Sequence, residues 1–212
     1  MVKTKIGISL ILLGAILISG AIGMIVYNNY IQKEAERSVE SILPRLTEKI
    51  NNNIEATERL SYDSYVANEL PDPMEIIEEA DPVMNTVEVE EHEYIGMISI
   101  PSLSLELPVM ADWNKTKLNI SPCRYSGTVD GNDLVVMAHN YRRHFASITR
   151  LNENDVVRFT DVYGNVTDYR VVATDCLSSS AVEDMTAGEF DLTLFTCNYD
   201  GKSRITVRCD KV

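Results

Sequence analysis

The sequence predicts a small, mostly β domain, a barrel or sandwich, placed behind a membrane-spanning helix and an acidic, partly helical stalk. Three observations carry this reading. Residues 6–27 are uncharged and almost wholly apolar. From Asn28 to Glu93 there are 17 Asp/Glu against 5 Lys/Arg, a net of −12 within a chain of net −13. From Tyr94 onward, short β-rich runs alternate with turns at a net charge of only −3. Those last 119 residues read as one compact domain, and 212 residues are short for two. An acidic chain without clustered Lys or Arg does not suit nucleic acid.

The 21 residues from Ile6 to Val26 would span ~31 Å as a helix, against a hydrocarbon core of ~30 Å. A secretory signal has an apolar run of only ~7–15 residues before its cleavage site, and Ala21-Ile22-Gly23 is a poor version of such a site. Residues 6–27 are therefore expected to be an uncleaved anchor. Lys3 and Lys5 before it, and Tyr27 and Tyr30 after it, place residues 1–5 in the cytoplasm and the rest of the chain outside the cell.

Residues 28–93 form the stalk. Apolar residues recur at Ile31, Ala35, Val39, Ile42, Leu46, Ile50 and Ile54, which is helical spacing, with Pro44 expected to kink or split the helix. Pro71, Pro73 and Pro82, set among acids, mark an extended linker. In the domain, strands are expected at Tyr94–Ile100, Glu106–Met110, Leu134–Ala138, Asp155–Phe159, Val166–Ala173, Leu192–Thr196 and Arg204–Cys209. Arg142–Thr149 is expected to be a short helix.

Two of these strands end in reactive side chains. Leu192-Thr193-Leu194-Phe195-Thr196 delivers Cys197 at its mouth, where a thiolate can reach a substrate. Leu134-Val135-Val136-Met137-Ala138 ends at His139. Asp200-Gly201 suits a tight turn, and the returning strand Arg204-Ile205-Thr206-Val207-Arg208 sets Arg204 beside Cys197. A nucleophile, a proton-transfer group and an oxyanion donor are the inventory of acyl transfer. The remaining cysteines, Cys123, Cys176 and Cys209, read as small half-buried thiols in strands, with a Cys176–Cys209 disulfide as the alternative. No Cys or His pair has zinc spacing and no compact carboxylate loop is present, so neither metal nor cofactor is expected.

Residues 94–212 resemble the sortase catalytic domain along its whole length. The resemblance rests on Tyr94-Ile95-Gly96 to Ile100-Pro101, Leu107-Pro108-Val109, Tyr125-Ser126-Gly127, Gly131-Asn132 and Val136-Met137-Ala138-His139. It continues through Leu151, Asp155 and Val157, and through Leu194-Phe195-Thr196-Cys197 followed by Arg204-Ile205-Thr206-Val207-Arg208. It implies a closed β-barrel of eight strands with short helices. It also implies Cys197 as nucleophile, His139 as acid/base and Arg204 as carbonyl and oxyanion binder, with Thr196, Ala138 and Asn140 lining the substrate site. By the same resemblance the enzyme cleaves LPXTG-like sorting signals of surface proteins between Thr and Gly, forms a thioacyl-enzyme, and transfers the acyl group to an amine of peptidoglycan or of another protein such as a pilin.

Asn154 departs from the family pattern, which has Gly there, and the seven-residue step from Cys197 to Arg204 is shorter than in many members. Arg208 and His144 are the rival arginine and histidine. Arg208 is expected to point outward or form a salt bridge, and His144 to lie on the surface of a short helix. No second apolar span lies near the C-terminus, unlike in many pilin-polymerising members, which favours a wall-attaching enzyme. Glu69-Leu70-Pro71-Asp72-Pro73-Met74 is expected to be an acidic spacer; its Asp-Pro step also resembles the lid of pilin-type members, which is the alternative. The competing function is a non-enzymatic, membrane-anchored surface β-domain that binds a partner.

Overall fold

The computed structural model describes residues 2–67, 84–198 and 201–212, with side chains placed for 11–60, 84–198 and 201–212. The lid-like segment Glu69–Met74 lies outside the described residues. The chain divides into two compact units, Met1–Glu34 and Ala35–Val212. A helix, α1 (Val2–Ala67), supplies the first unit and opens the second. In the first unit its side chains from Ile11 to Tyr27 are exposed almost all round although nearly all are apolar, which marks a helix suited to lipid.

Among the described residues, the second unit is built on nine strands. β1 (Val87–Val89) is a short hairpin partner of β2 (His92–Ile100), and β3 (Leu105–Met110) follows a 3-10 turn, Pro101–Leu103. Helix α2 (Lys115–Ile120) leads to β4 (Cys123–Ser126), then β5 (Leu134–Ala138) and a 3-10 helix, Phe145–Arg150. β6 (Val156–Asp161), β7 (Val166–Ser178), α3 (Val182–Thr186), β8 (Leu192–Cys197) and β9 (Ser203–Lys211) complete the chain. Hydrogen bonding runs β2-β3-β4-β5-β8-β9-β7-β6, and a β2–β6 pairing closes the ring into an eight-stranded barrel.

Closure needs Gly96. It sits at φ +148 opposite Asp161, and a Cβ there would lie 2.1 Å from the Thr160 carbonyl oxygen. Alternation fills the interior with Ile98, Leu107, Val136, Leu194, Phe159, Val171 and Val207. The tight turn before β6 puts Asn154 at φ +71, where Asn is among the best-tolerated replacements for Gly.

The expected stalk helix belongs to this unit. Val39 joins the barrel core, while Ile42, Leu46 and Ile50 pack with Val89, Tyr94, Met110, Leu118 and Cys123. Pro44 does not split α1. Pro44 and Glu40 both face solvent, where water can hydrate the carbonyl that proline leaves without a donor, and buried neighbours on each side hold the two halves. β1, β4, α2 and α3 were not expected, and the helix expected at Arg142–Thr149 is the later, tighter 3-10 turn.

Leu46 is fully buried. In the full chain in detergent, Leu46→Ala should lower urea stability by about 2–5 kcal/mol, followed by Trp113 fluorescence. A change within about 0.5 kcal/mol, as at an ordinary exposed position, would contradict the packing.

Candidate active site

Three adjacent strands bring their ends to one edge of the barrel. β5 and β8 are parallel, so both finish there, and β9 is antiparallel to β8, so it begins there. Register sets Ala138 beside Thr196 and Cys197 directly opposite Arg204. Opposed Cα atoms in such a ladder lie about 4.5–5.5 Å apart, with side chains on one face. Leu192 and Leu194 face the core, so Phe195 and Cys197 face outward, as do Arg204, Thr206 and Arg208 opposite the inward Val207 and Cys209. His139 follows inward Ala138 and continues the same outward alternation at the strand end.

The alternation that turns Cys197 outward turns Thr196 inward. Thr196 and Ala138 are buried, and the Thr196 hydroxyl donates to the Ala138 carbonyl at 2.8 Å. They thus form a bond between β5 and β8 one residue below Cys197 and Arg204. Asn140, half-buried, stays at the edge beside His139.

His139 is half-buried, and burial holds it below the usual histidine range. Its Nε2 lies 3.0 Å from Asn119 Oδ1, at the end of α2. A neutral imidazole that donates from Nε2 to an amide oxygen keeps its basic lone pair on Nδ1. The ring lies 4.6 Å from that of Tyr141, which in turn lies 5.5 Å from His144.

His144 is not at the surface. Backbone bonds Phe145 N to His139 O and His144 N to Tyr141 O fold the loop back and bury the ring completely. Among the described residues, neither ring nitrogen has a partner of hydrogen-bonding geometry. Burial first, then nearby His139, outweigh the Ile120 backbone and hold His144 at about 4. A neutral, enclosed histidine is a poor rival to His139.

Arg204 is half-buried and donates from Nη1 to the Ser203 carbonyl at 3.1 Å. The β8–β9 turn closes through Asn198 N to Ser203 O at 2.9 Å and Gly201 N to Asn198 O at 3.0 Å, with Gly201 at φ +68. Asp200, expected in that turn, lies outside the described residues.

The other cysteines are poor nucleophiles or point elsewhere. Burial pushes Cys123 and Cys209 up to about 12. Cys176 is exposed, not half-buried, and its place opposite Ile205 puts it on the face away from Arg204. All four are free thiols. Cys176 and Cys209 oppose Ile205 and Val171 respectively, so they are not neighbours for a disulfide.

Sequence reasoning missed Asn119, Tyr141 and Arg143. Arg143, in the loop after His139, pairs with Glu36 and Glu40 of α1 at 2.9 and 3.0 Å. Partners more than a hundred residues away leave no local signal.

A family model described as a sortase domain matches residues 98–212, more than half of the chain. The chain belongs to the sortase family. Members of that family are cysteine transpeptidases. Among solved structures, this sortase resembles sortase A from Corynebacterium diphtheriae, a lid mutant, at TM-score 0.51 and 24% identity over 57% of this chain and 72% of that one. It resembles sortase C of Streptococcus pneumoniae at TM-score 0.54 and 17% identity over 81% and 96%. At these identities the likeness shows the fold. No curated protein sequence matches the chain.

Because His144 is held at about 4 in the folded sortase and titrates near 6.5 when unfolded, the unfolded chain binds the extra proton first. The stability present above pH 6.5 should therefore drain away as pH falls toward 4, by up to about 3 kcal/mol. His144→Phe should flatten this part of the pH–stability curve in urea titrations. Equal slopes in the two proteins would contradict the buried neutral histidine.

Proposed function

We propose that this sortase is a membrane-anchored cysteine transpeptidase that cuts an LPXTG-like sorting signal and joins its acyl part to an amine. Residues 6–27 would be the anchor, residues 1–5 cytoplasmic, residues 28–93 the stalk and linker, and the barrel from residue 94 extracellular. The observation that carries the reading is the register that sets Cys197 opposite Arg204, with His139 at the adjoining strand end.

The Cys197 thiolate attacks the carbonyl between Thr and Gly, forming an S–C bond. The resulting oxyanion is met by the Arg204 guanidinium, a permanently charged, multi-donor partner. The C–N bond then breaks as His139 gives its proton to the departing amine, leaving a thioester. An incoming amine on peptidoglycan or another protein attacks the thioester, loses its proton to His139, and releases Cys197. Burial keeps the imidazolium of His139 scarce at neutral pH, which makes its proton a readily donated one once substrate arrives.

In assays with a sorting peptide, Cys197→Ala should abolish hydrolysis and transpeptidation, while single replacement of Cys123, Cys176 or Cys209 should leave most activity. Arg204→Ala should lower kcat roughly 10²–10³-fold, and Arg208→Ala far less. Near-normal turnover by Cys197→Ala, or equal kcat losses at Arg204 and Arg208, would overturn these assignments.

A further inference from the structure

The loop that follows His139 leaves the strand ladder and returns to the barrel at Phe145. Phe145 N donates to the His139 carbonyl at 3.2 Å, His144 N to the Tyr141 carbonyl at 3.0 Å, and Ala146 N to that same carbonyl at 3.2 Å. His144 and Phe145 are fully buried and pin the loop's far end. Asn140 and Tyr141 are only half-buried, and Arg142 and Arg143 are exposed, so packing does little to hold the middle of the loop. Tyr141 sets its ring 4.6 Å from that of His139. A shift of this middle part therefore moves the ring against which the imidazole rests.

Arg143 ties that middle part to α1. Its guanidinium forks, Nε donating to Glu36 Oε1 and Nη2 to Glu40 Oε1, two carboxylates about one helical turn apart. α1 is a firm base at this point. Ala35 and Val39, beside these glutamates, are buried, and Val39 belongs to the barrel core. Farther along, Asn53 Nδ2 donates to the Val162 carbonyl at 2.8 Å. Ile54 sits so close to Gly164 that a Cβ there would lie 2.3 Å from its Cδ1. Val162 and Gly164 belong to the turn between β6 and β7. That turn lies at the edge opposite the active one, since β7 ends beside the start of β9. α1 is thus fixed to both edges of the barrel, over ~26 Å from Glu36 to Asn53, and the fork joins the loop to that strut. The chemistry above gives Arg143 no part.

We propose that Arg143 is a positioning residue for the acid/base: by clamping the loop to Glu36 and Glu40 it holds Tyr141 and His139 in the pose that hands a proton to the departing amine. The proposal rests on His139 being that acid/base and deepens the reading. Exposure bounds the size of the effect. The Arg143 side chain is 47% exposed and the two carboxylates 38% and 57%, so solvent and salt weaken the fork. A several-fold loss is expected, well short of the loss at Arg204.

The test is steady-state turnover of a sorting peptide by the full chain in detergent. Arg143→Gln, and separately Glu36→Gln combined with Glu40→Gln, should each lower kcat roughly three- to tenfold with KM near wild type. All three substitutions together should be no worse than Arg143→Gln, because the same contact is lost. Arg143→Lys, which lacks the planar fork, should recover part of the loss. If Arg143→Gln does not fold, the paired glutamate variant and Arg143→Lys make the same comparison. A merely structural fork would lower the urea midpoint and leave the kcat of the folded enzyme alone. Salt gives a second readout. In ~1 M NaCl, where the screening length is ~3 Å, wild-type kcat should fall toward that of Arg143→Gln, whose own kcat should barely change. Wild-type kcat in Arg143→Gln, additive losses, a rise in KM alone, or equal salt dependence in wild type and variant would overturn the proposal while leaving an active transpeptidase. Near-normal kcat in His139→Ala would instead defeat the reading of His139, and this proposal with it.

Discussion

The ladder around β8 is the constraint on which the rest of the molecule depends. Parallel to β5 and antiparallel to β9, it makes two strands finish and one begin at the same edge of the barrel. The buried Thr196–Ala138 hydrogen bond fixes that register one residue below the edge. Because side chains alternate, a slip of one residue in β8 would point Thr196 outward and bury Cys197. The barrel's closure at Gly96, its filled interior and the packing of α1 therefore bear on the chemistry by keeping this one register.

Burial then sorts the titratable groups that the fold brings near. Cys123 and Cys209 share a residue type with Cys197, yet burial, under α1 for Cys123 and inside the barrel for Cys209, pushes their thiols up to about 12, and Cys176 faces the other way. His144 lies one aromatic ring from His139 but is fully enclosed and held neutral by burial, whereas His139 has the Asn119 amide to orient it. Arg208 has the same face and strand as Arg204, but carbonyls, a hydroxyl and a carboxylate already surround it. In each pair the residue assigned to chemistry is the one left partly open at the strand end.

Much of this was legible in the sequence, and the parts that were not have physical reasons. Apolar runs mark β5 and β8, which are buried on both faces, and alternation marks β9; their ends carry Cys197, His139 and Arg204. β4 reads Cys-Arg-Tyr-Ser, without alternation, and is held by its neighbours. The β1–β2 hairpin turns on Glu90 and Glu91, both at positive φ, where the usual signal would be Asn-Gly. α3 was unreadable because its partner is a cation twenty-odd residues later. The helical period from Ala35 to Ile54 was plain, but amphipathic spacing alone does not say what covers the apolar face, and here the barrel covers it. The inward turn of Thr196 follows from alternation once Cys197 is placed outward.

The most direct test of the account is the covalent intermediate. The full chain would be incubated with a sorting peptide in the absence of an acceptor amine, then measured by intact mass and by peptide mapping. A mass increment equal to the acyl part of the peptide, located on Cys197 and discharged by an added amine, is the predicted result. An adduct on Cys176, or cleavage of the peptide with no thioester at Cys197, would contradict it.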